Sequence, residues 1–126
     1  MRLTVSEWQI MNALWQQHPA TARELTVRLP AGVQWAHTTI KTLLSRLVAK
    51  GAVHETKRGN VSLYAPLVTQ EEARRTSLRL LLKQAFGGTL EPFLSFLAID
   101  KSLTPQQRRQ LERLLEEEAK RKRGVR

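Results

Sequence analysis

Between Ala36 and Gly51 the chain reads AHTTIKTLLSRLVAKG, and this stretch leaves few options for what the rest can fold into. Ile40, Leu43, Leu44, Leu47 and Val48 recur at i, i+3, i+4, i+7 and i+8. That spacing makes one apolar stripe on an α-helix, and Gly51 follows as a C-terminal stop. The opposite face carries Thr38, Thr39, Lys41, Thr42, Ser45 and Arg46: hydroxyls and cations, with no acid. A solvated face normally mixes both signs, so an acid-free face of short donors points to a surface that meets an anion. Taken alone, the stretch fits both a DNA recognition helix and an ordinary amphipathic helix. Its surroundings decide.

A chain of 126 residues, 41% hydrophobic, makes one domain, or a small domain with an appended helical module, around a modest core. The net charge of +10 implies polyanionic partners, with nucleic acid first and a membrane surface second. With no cysteine there is no disulfide framework, thiolate zinc site or thiol nucleophile. His18, His37 and His54 lack the close spacing of a helix-borne metal pair, so neither metal nor cofactor is expected. No apolar run approaches a membrane span and no signal-peptide core follows Met1-Arg2, which predicts a soluble cytoplasmic protein without a membrane partner. Asp100 is the one aspartate, and no Ser/His/Asp order or Gly-rich phosphate loop stands out. The chain does not read as an enzyme.

Four helix starts show a hydroxyl residue followed three positions later by Glu or Gln, the spacing of a capping box: Ser6 with Gln9, Thr21 with Glu24, Thr69 with Glu72, and Thr104 with Gln107. The first helix is predicted from about Glu7 to Gln17, with Trp8, Met11, Leu14 and Trp15 inward, and His18-Pro19 ends it. A short second helix near Ala22 to Leu29 buries Leu25 and Leu29, and Pro30-Ala31-Gly32 breaks the chain before the helix described first. Short helix, brief break, longer helix with a polar outer face is helix-turn-helix order. After Gly51 the period changes from helical to alternating. Ala52–Lys57 and Val61–Pro66 read as two short strands, with Lys57-Arg58-Gly59-Asn60 as a basic hairpin tip in which Gly59 and Asn60 can both take positive φ. The fold class is therefore mainly α with a small β-hairpin, a winged helix-turn-helix over residues 1–68.

Residues 69–126 return to helix and read as a dimerisation module. Leu78, Leu81, Leu82, Ala85 and Phe86 repeat the stripe spacing, and Gly87-Gly88 ends it. Leu90, Phe93, Leu94, Phe96 and Leu97 follow in a short apolar helix, and Leu103, Leu111, Leu114 and Leu115 mark the inner side of the last helix. So much apolar surface on so little chain predicts packing against a second copy, a homodimer, rather than folding back on the hairpin domain. The tail from Lys120 to Arg126 holds five cations and no acid, and is expected to be frayed. Without those cations residues 69–119 are neutral, so the folded positive surface belongs to the N-terminal part.

Leu3–Met11 (LTVSEWQIM), Thr38–Gly51 (TTIKTLLSRLVAKG) and Gly87-Gly88 ahead of a short apolar helix resemble the BlaI/MecI penicillinase-repressor family, over nearly the whole chain. The resemblance implies a dimeric winged-helix repressor of bacterial operons that binds palindromic operators with TACA/TGTA-type half-sites. It also places Thr38, Thr39, Lys41, Thr42 and Arg46 on the DNA-facing side of the third helix. Family members often carry serine where Ala36 stands, which implies a weakly capped helix here. Antibiotic-responsive members are cleaved by a signal-dependent protease at an Asn-Phe bond, and the matching bond is Ser95–Phe96. Copper-responsive relatives carry C-terminal cysteines that this chain lacks.

The expected partner is thus a double-stranded DNA operator. Threonine hydroxyls and methyls suit base edges, with Ser45 beside them, while Lys41, Arg46, Lys57 and Arg58 suit phosphate. Trp8, Trp15 and Trp35 are assigned to packing, and His37 to solvent. The alternative is an architectural protein that binds nucleic acid without sequence preference through the wing and tail.

Overall fold

The computed structural model describes residues 1–99 and 103–124. Its elements in order are α1 (Val5–Gln16), α2 (Ala22–Arg28), α3 (His37–Ala49), β1 (Val53–Arg58), β2 (Val61–Pro66), α4 (Gln70–Ala85), α5 (Leu90–Ile99) and α6 (Pro105–Gly124). They form two compact units, Met1–Leu80 and the remainder from Leu81.

In the first unit α1 begins earlier than its sequence suggests. The capping box is Thr4 with Glu7, not Ser6 with Gln9: Thr4 Oγ1 accepts from the Glu7 N–H at 3.2 Å and Glu7 Oε1 accepts from the Thr4 N–H at 2.8 Å. Both pairs have the required spacing. The carboxylate pair prevails because Glu7 also meets a cation, Lys50, from the far end of α3. The box at Thr21 and Glu24 is reciprocal, as is the one at Thr104 and Gln107. Thr69 accepts from the Glu72 N–H at 3.0 Å.

The core takes Ile10, Met11 and Leu14 from α1, Leu25 and Leu29 around α2, and Ile40, Leu43, Leu44 and Leu47 from α3, closed by Val53 and Tyr64 of the wing. Trp8 and Trp15 lie half-buried with their rings 5.9 Å apart, and Trp35 packs partly buried against the core. The Trp15 indole N–H donates to the Val68 carbonyl at 3.0 Å, tying the segment ahead of α4 to α1. Gly51 ends α3 at φ +81°: its N–H reaches the Val48 carbonyl and the Ala52 N–H reaches the Leu47 carbonyl. This double bond is a Schellman motif, and a side chain would strain its left-handed residue.

The hairpin tip is shorter than the basic four-residue stretch predicted. Lys57 pairs with Ser62 and Arg58 with Val61, which places both cations in β1 and leaves a two-residue Gly59-Asn60 turn. Only Gly59 takes positive φ, at +63°, the pattern of a turn with glycine first. Ala20 and Tyr64 form an antiparallel bridge that attaches β2 to the segment before α2.

No residue of α4, α5 or α6 among those described is buried. In the second unit the Phe86 ring meets Phe93 edge-on at 5.3 Å and Phe96 at 6.0 Å, and Arg108 Nη1 donates to the Ala98 carbonyl at 3.0 Å. Helix α6 continues through Lys120–Arg123, where the sequence suggested fraying. Cations in a last turn face the negative helix end, and Glu118 pairs with Arg121 one turn away. Asp100, Val125 and Arg126 lie outside the described residues. Among those described, no helix is long and apolar enough to cross a membrane, and no group of His, Asp and Glu is placed to hold a metal ion.

Candidate DNA interface

Helix α3 is held by its stripe. Ile40, Leu44 and Leu47 are fully buried, which fixes the rotation of the helix and hence which residues face outward. Thr38, Thr39, Lys41, Thr42, Ser45 and Arg46 are all exposed, together with His37 at the helix start. Ala36 occupies the N-cap in extended conformation (φ −62°, ψ 152°) with no side-chain cap. The first turn of α3 therefore offers uncompensated backbone N–H groups close to its exposed face.

The hydroxyls are not equivalent. Thr42 Oγ1 donates to the Thr38 carbonyl at 2.9 Å within the helix. Its proton is committed, so toward a ligand Thr42 presents two acceptor lone pairs and a methyl group. Thr39 has no such bond among the described residues and keeps both donor and acceptor roles. Among the described residues, Lys41, Arg46, Lys57 and Arg58 have no ion-pair partner. Lys57 and Arg58 are both exposed, and as successive strand residues they project to opposite faces of the wing.

Sequence reasoning missed the contact that braces this helix. Lys50 caps the C-terminus of α3, and its Nζ donates to Glu7 Oε1 at 2.5 Å and to the Arg2 carbonyl at 2.8 Å. Glu7 is 1% exposed. Burial pushes its carboxyl up, but the Lys50 ammonium and the Thr4 N–H and hydroxyl outweigh that and hold it below the usual carboxylate value. Glu7 Oε2 is buried without a hydrogen-bond partner among the described residues. The ammonium thus joins the end of α3 to the start of α1 across 43 residues of sequence separation, and nothing local in either segment signals the pair.

The comparisons with known proteins agree with this geometry. The penicillinase repressor family model matches residues 3–117. The chain belongs to the penicillinase repressor family. A penicillinase repressor of Bacillus licheniformis is 29% identical over 122 residues, covering 96% of this chain and 94% of the relative. A methicillin resistance regulatory protein MecI of Staphylococcus aureus is 28% identical over 95 residues, covering 75% of this chain and 77% of the relative. The solution structure of the DNA-binding domain of the repressor BlaI superposes with a TM-score of 0.50 at 28% identity, covering 56% of this chain and 87% of that domain. The fold of the first unit in this family member is a winged helix-turn-helix.

Proposed function

We propose that this family member, a DNA-binding transcriptional repressor, acts in the cytoplasm as a twofold dimer on a palindromic operator, reading it with the exposed face of α3. Residues 1–68 are assigned to DNA and residues 69–126 to dimerisation. One observation carries the reading: the exposed side of α3 presents an acid-free row of Thr38, Thr39, Lys41, Thr42, Ser45 and Arg46 on a rigidly seated helix. Such a helix fits the major groove, where Thr39 can donate or accept at base edges. Thr42 can accept from an adenine or cytosine amino group or touch a thymine methyl. Lys41, Arg46, Lys57 and Arg58 serve register and affinity at phosphates.

Support for the dimer comes from apolar residues left open in one protomer. Leu78, Leu81, Phe96, Leu111, Leu114 and Leu115 are 39–62% exposed, with Leu82, Phe86, Phe93 and Leu97 half-buried beside them. A second copy covering these side chains doubles the DNA contacts, so separating the dimer releases the operator. Ser95 and Phe96 both lie exposed within α5, where a signal-dependent protease would have to cut to achieve that release.

The test is site selection from random duplexes, followed by titration of variants on the selected and on a scrambled duplex. Thr39→Ala and Thr42→Ala are expected to narrow the affinity ratio between the two duplexes, whereas Lys57→Ala and Arg58→Ala weaken both alike. If neither threonine substitution alters that ratio, α3 does not read sequence.

A further inference from the structure

The segment that joins the wing to α4 contains no free joint. β2 ends at Pro66 and α4 begins at Gln70, which leaves Leu67, Val68 and Thr69 between them. Connecting segments are ordinarily the mobile parts of a domain. Here all three residues are held. The Leu67 N–H donates to the Ala52 carbonyl at 2.8 Å. Val68 packs partly buried against the core, and its carbonyl accepts from the Trp15 indole N–H at 3.0 Å. Thr69 caps α4, its hydroxyl accepting from the Glu72 N–H at 3.0 Å and its carbonyl from the Ala73 N–H at 3.1 Å. Pro66 fixes its own φ, and the sequence has no glycine between Gly59 and Gly87 to act as a swivel.

The ties on Leu67 and Val68 both lead back to α3. Ala52, fully buried, accepts from Leu67 and donates its own N–H to the Leu47 carbonyl at 2.9 Å, and Leu47 belongs to the buried stripe of α3. Backbone bonds thus run from α3 through Ala52 to Leu67. The second tie comes from α1, whose Ile10, Met11 and Leu14 share one core with Ile40 and Leu44 of α3. One point of attachment leaves a pivot, whereas two, on successive residues and from different elements, fix a direction. The Leu67 side chain is 58% exposed, so its hold is through the backbone, and Trp15 is the side chain that closes the clamp.

We propose that Trp15 is a positioning residue for operator recognition. Its bond to Val68, together with the Ala52–Leu67 bond, makes the first turns of α4 a rigid extension of the body that seats α3. The spacing between half-sites is therefore set at this clamp and not by the residues that face DNA. This assignment rests on the reading above of a twofold dimer joined through residues 69–126. One base pair added between half-sites moves the second by about 3.4 Å and turns it by about 35°. A rigid arm cannot follow, so one α3 disengages and the gain from double attachment disappears. A loosened arm follows the displaced half-site, at the cost of a lower effective concentration at the preferred spacing.

The experiment titrates the full chain, by fluorescence anisotropy at fixed ionic strength, against four duplexes: a selected operator, the same operator with one base pair added or removed between half-sites, and a single half-site. Wild type is expected to bind either altered spacing about 100-fold or more weakly than the selected one. Trp15→Phe keeps a ring and removes the donor to Val68. A two-glycine insertion between Val68 and Thr69 leaves both ties and the cap of α4 in place and interrupts the path between them. Both variants should cut the spacing ratio to about tenfold or less while binding the single half-site as wild type does. Ile10→Val trims the core away from the clamp, lowers the melting temperature, and should keep the wild-type ratio.

Either loosened variant retaining the wild-type spacing ratio would overturn the proposal. So would an equal loss of that ratio in Ile10→Val, which would make it a matter of stability, or a fall in half-site affinity that accounts for the whole effect of Trp15→Phe. Wild type binding every spacing and the single half-site alike would instead sink the twofold reading itself.

Discussion

Replacing Lys50 by Met tests the brace between α3 and α1. Met keeps most of the aliphatic stem and removes the ammonium, so packing changes little while Glu7 loses the cation paired with it. Breaking a buried ion pair from one side costs about 3–5 kcal/mol because the remaining charge is stranded. Here the Glu7 side chain is 1% exposed but that of Lys50 is 34% exposed, so water can follow into the vacated space. Discounting for that screening, roughly 2 kcal/mol is the expected loss. For a cooperative unit of this size that lowers the melting temperature by about 8–16 °C.

The assay is thermal unfolding of the full chain followed by near-ultraviolet circular dichroism, which reports Trp8, Trp15 and Trp35 of the first unit. Glu7→Gln is measured in both backgrounds. It should cost less in Lys50→Met than in wild type, because there it removes a stranded charge. The pH dependence has a defined sign. Glu7 in the folded protein sits below its unfolded value, so its stabilisation is fully present above the ordinary carboxylate range and disappears as pH falls through the lowered folded value. Lys50→Met should therefore converge on wild type in strong acid and diverge at neutral pH. A variant that melts with wild type at pH 7, or a Glu7→Gln cost equal in both backgrounds, refutes the reasoning.

Other outcomes follow from single contacts. Ala36→Ser supplies the missing cap of α3 in a backbone already suited to it, and should stabilise by about 1 kcal/mol in chemical denaturation. Thr42→Val keeps the methyl and removes the acceptor, so discrimination in duplex titrations should fall by about 1 kcal/mol per half-site. Leu114→Lys or Leu115→Lys places a charge on the open apolar face. With a lost contribution of about 1.5 kcal/mol or more per leucine, counted in both protomers, sedimentation is expected to show dimers of wild type and monomers of either variant. Trp15→Phe leaves the Val68 carbonyl without its donor and should cost about 1 kcal/mol in the same unfolding assay.

What the sequence reveals and what it hides divide by range. The α3 stripe is legible because Ile40, Leu43, Leu44 and Leu47 are close in sequence and one period accounts for all of them. Gly51 is legible as the end of α3 for the same local reason. At the start of α1 two overlapping pairs share one spacing, and the choice falls to Glu7 through Lys50, a partner on another helix. Lys57 and Arg58 look like loop residues by composition, but the two-residue turn at Gly59-Asn60 draws them into strand pairing. Arg23 and His37 carry no sequence signal as a pair, since core packing and the Ala20–Tyr64 bridge together bring α2, α3 and the wing around one groove that both residues line. The open faces of α4–α6 are legible as apolar, whereas their occupant is a matter for solution experiments.

The central claim is that two copies of α3 enter neighbouring major grooves of one duplex. Hydroxyl-radical footprinting of the selected duplex tests it most directly. The account predicts two protected patches related by a twofold axis, with centres about 34–36 Å apart, one helical turn. A single patch at saturation, or uniform protection that ignores the sequence, would contradict it.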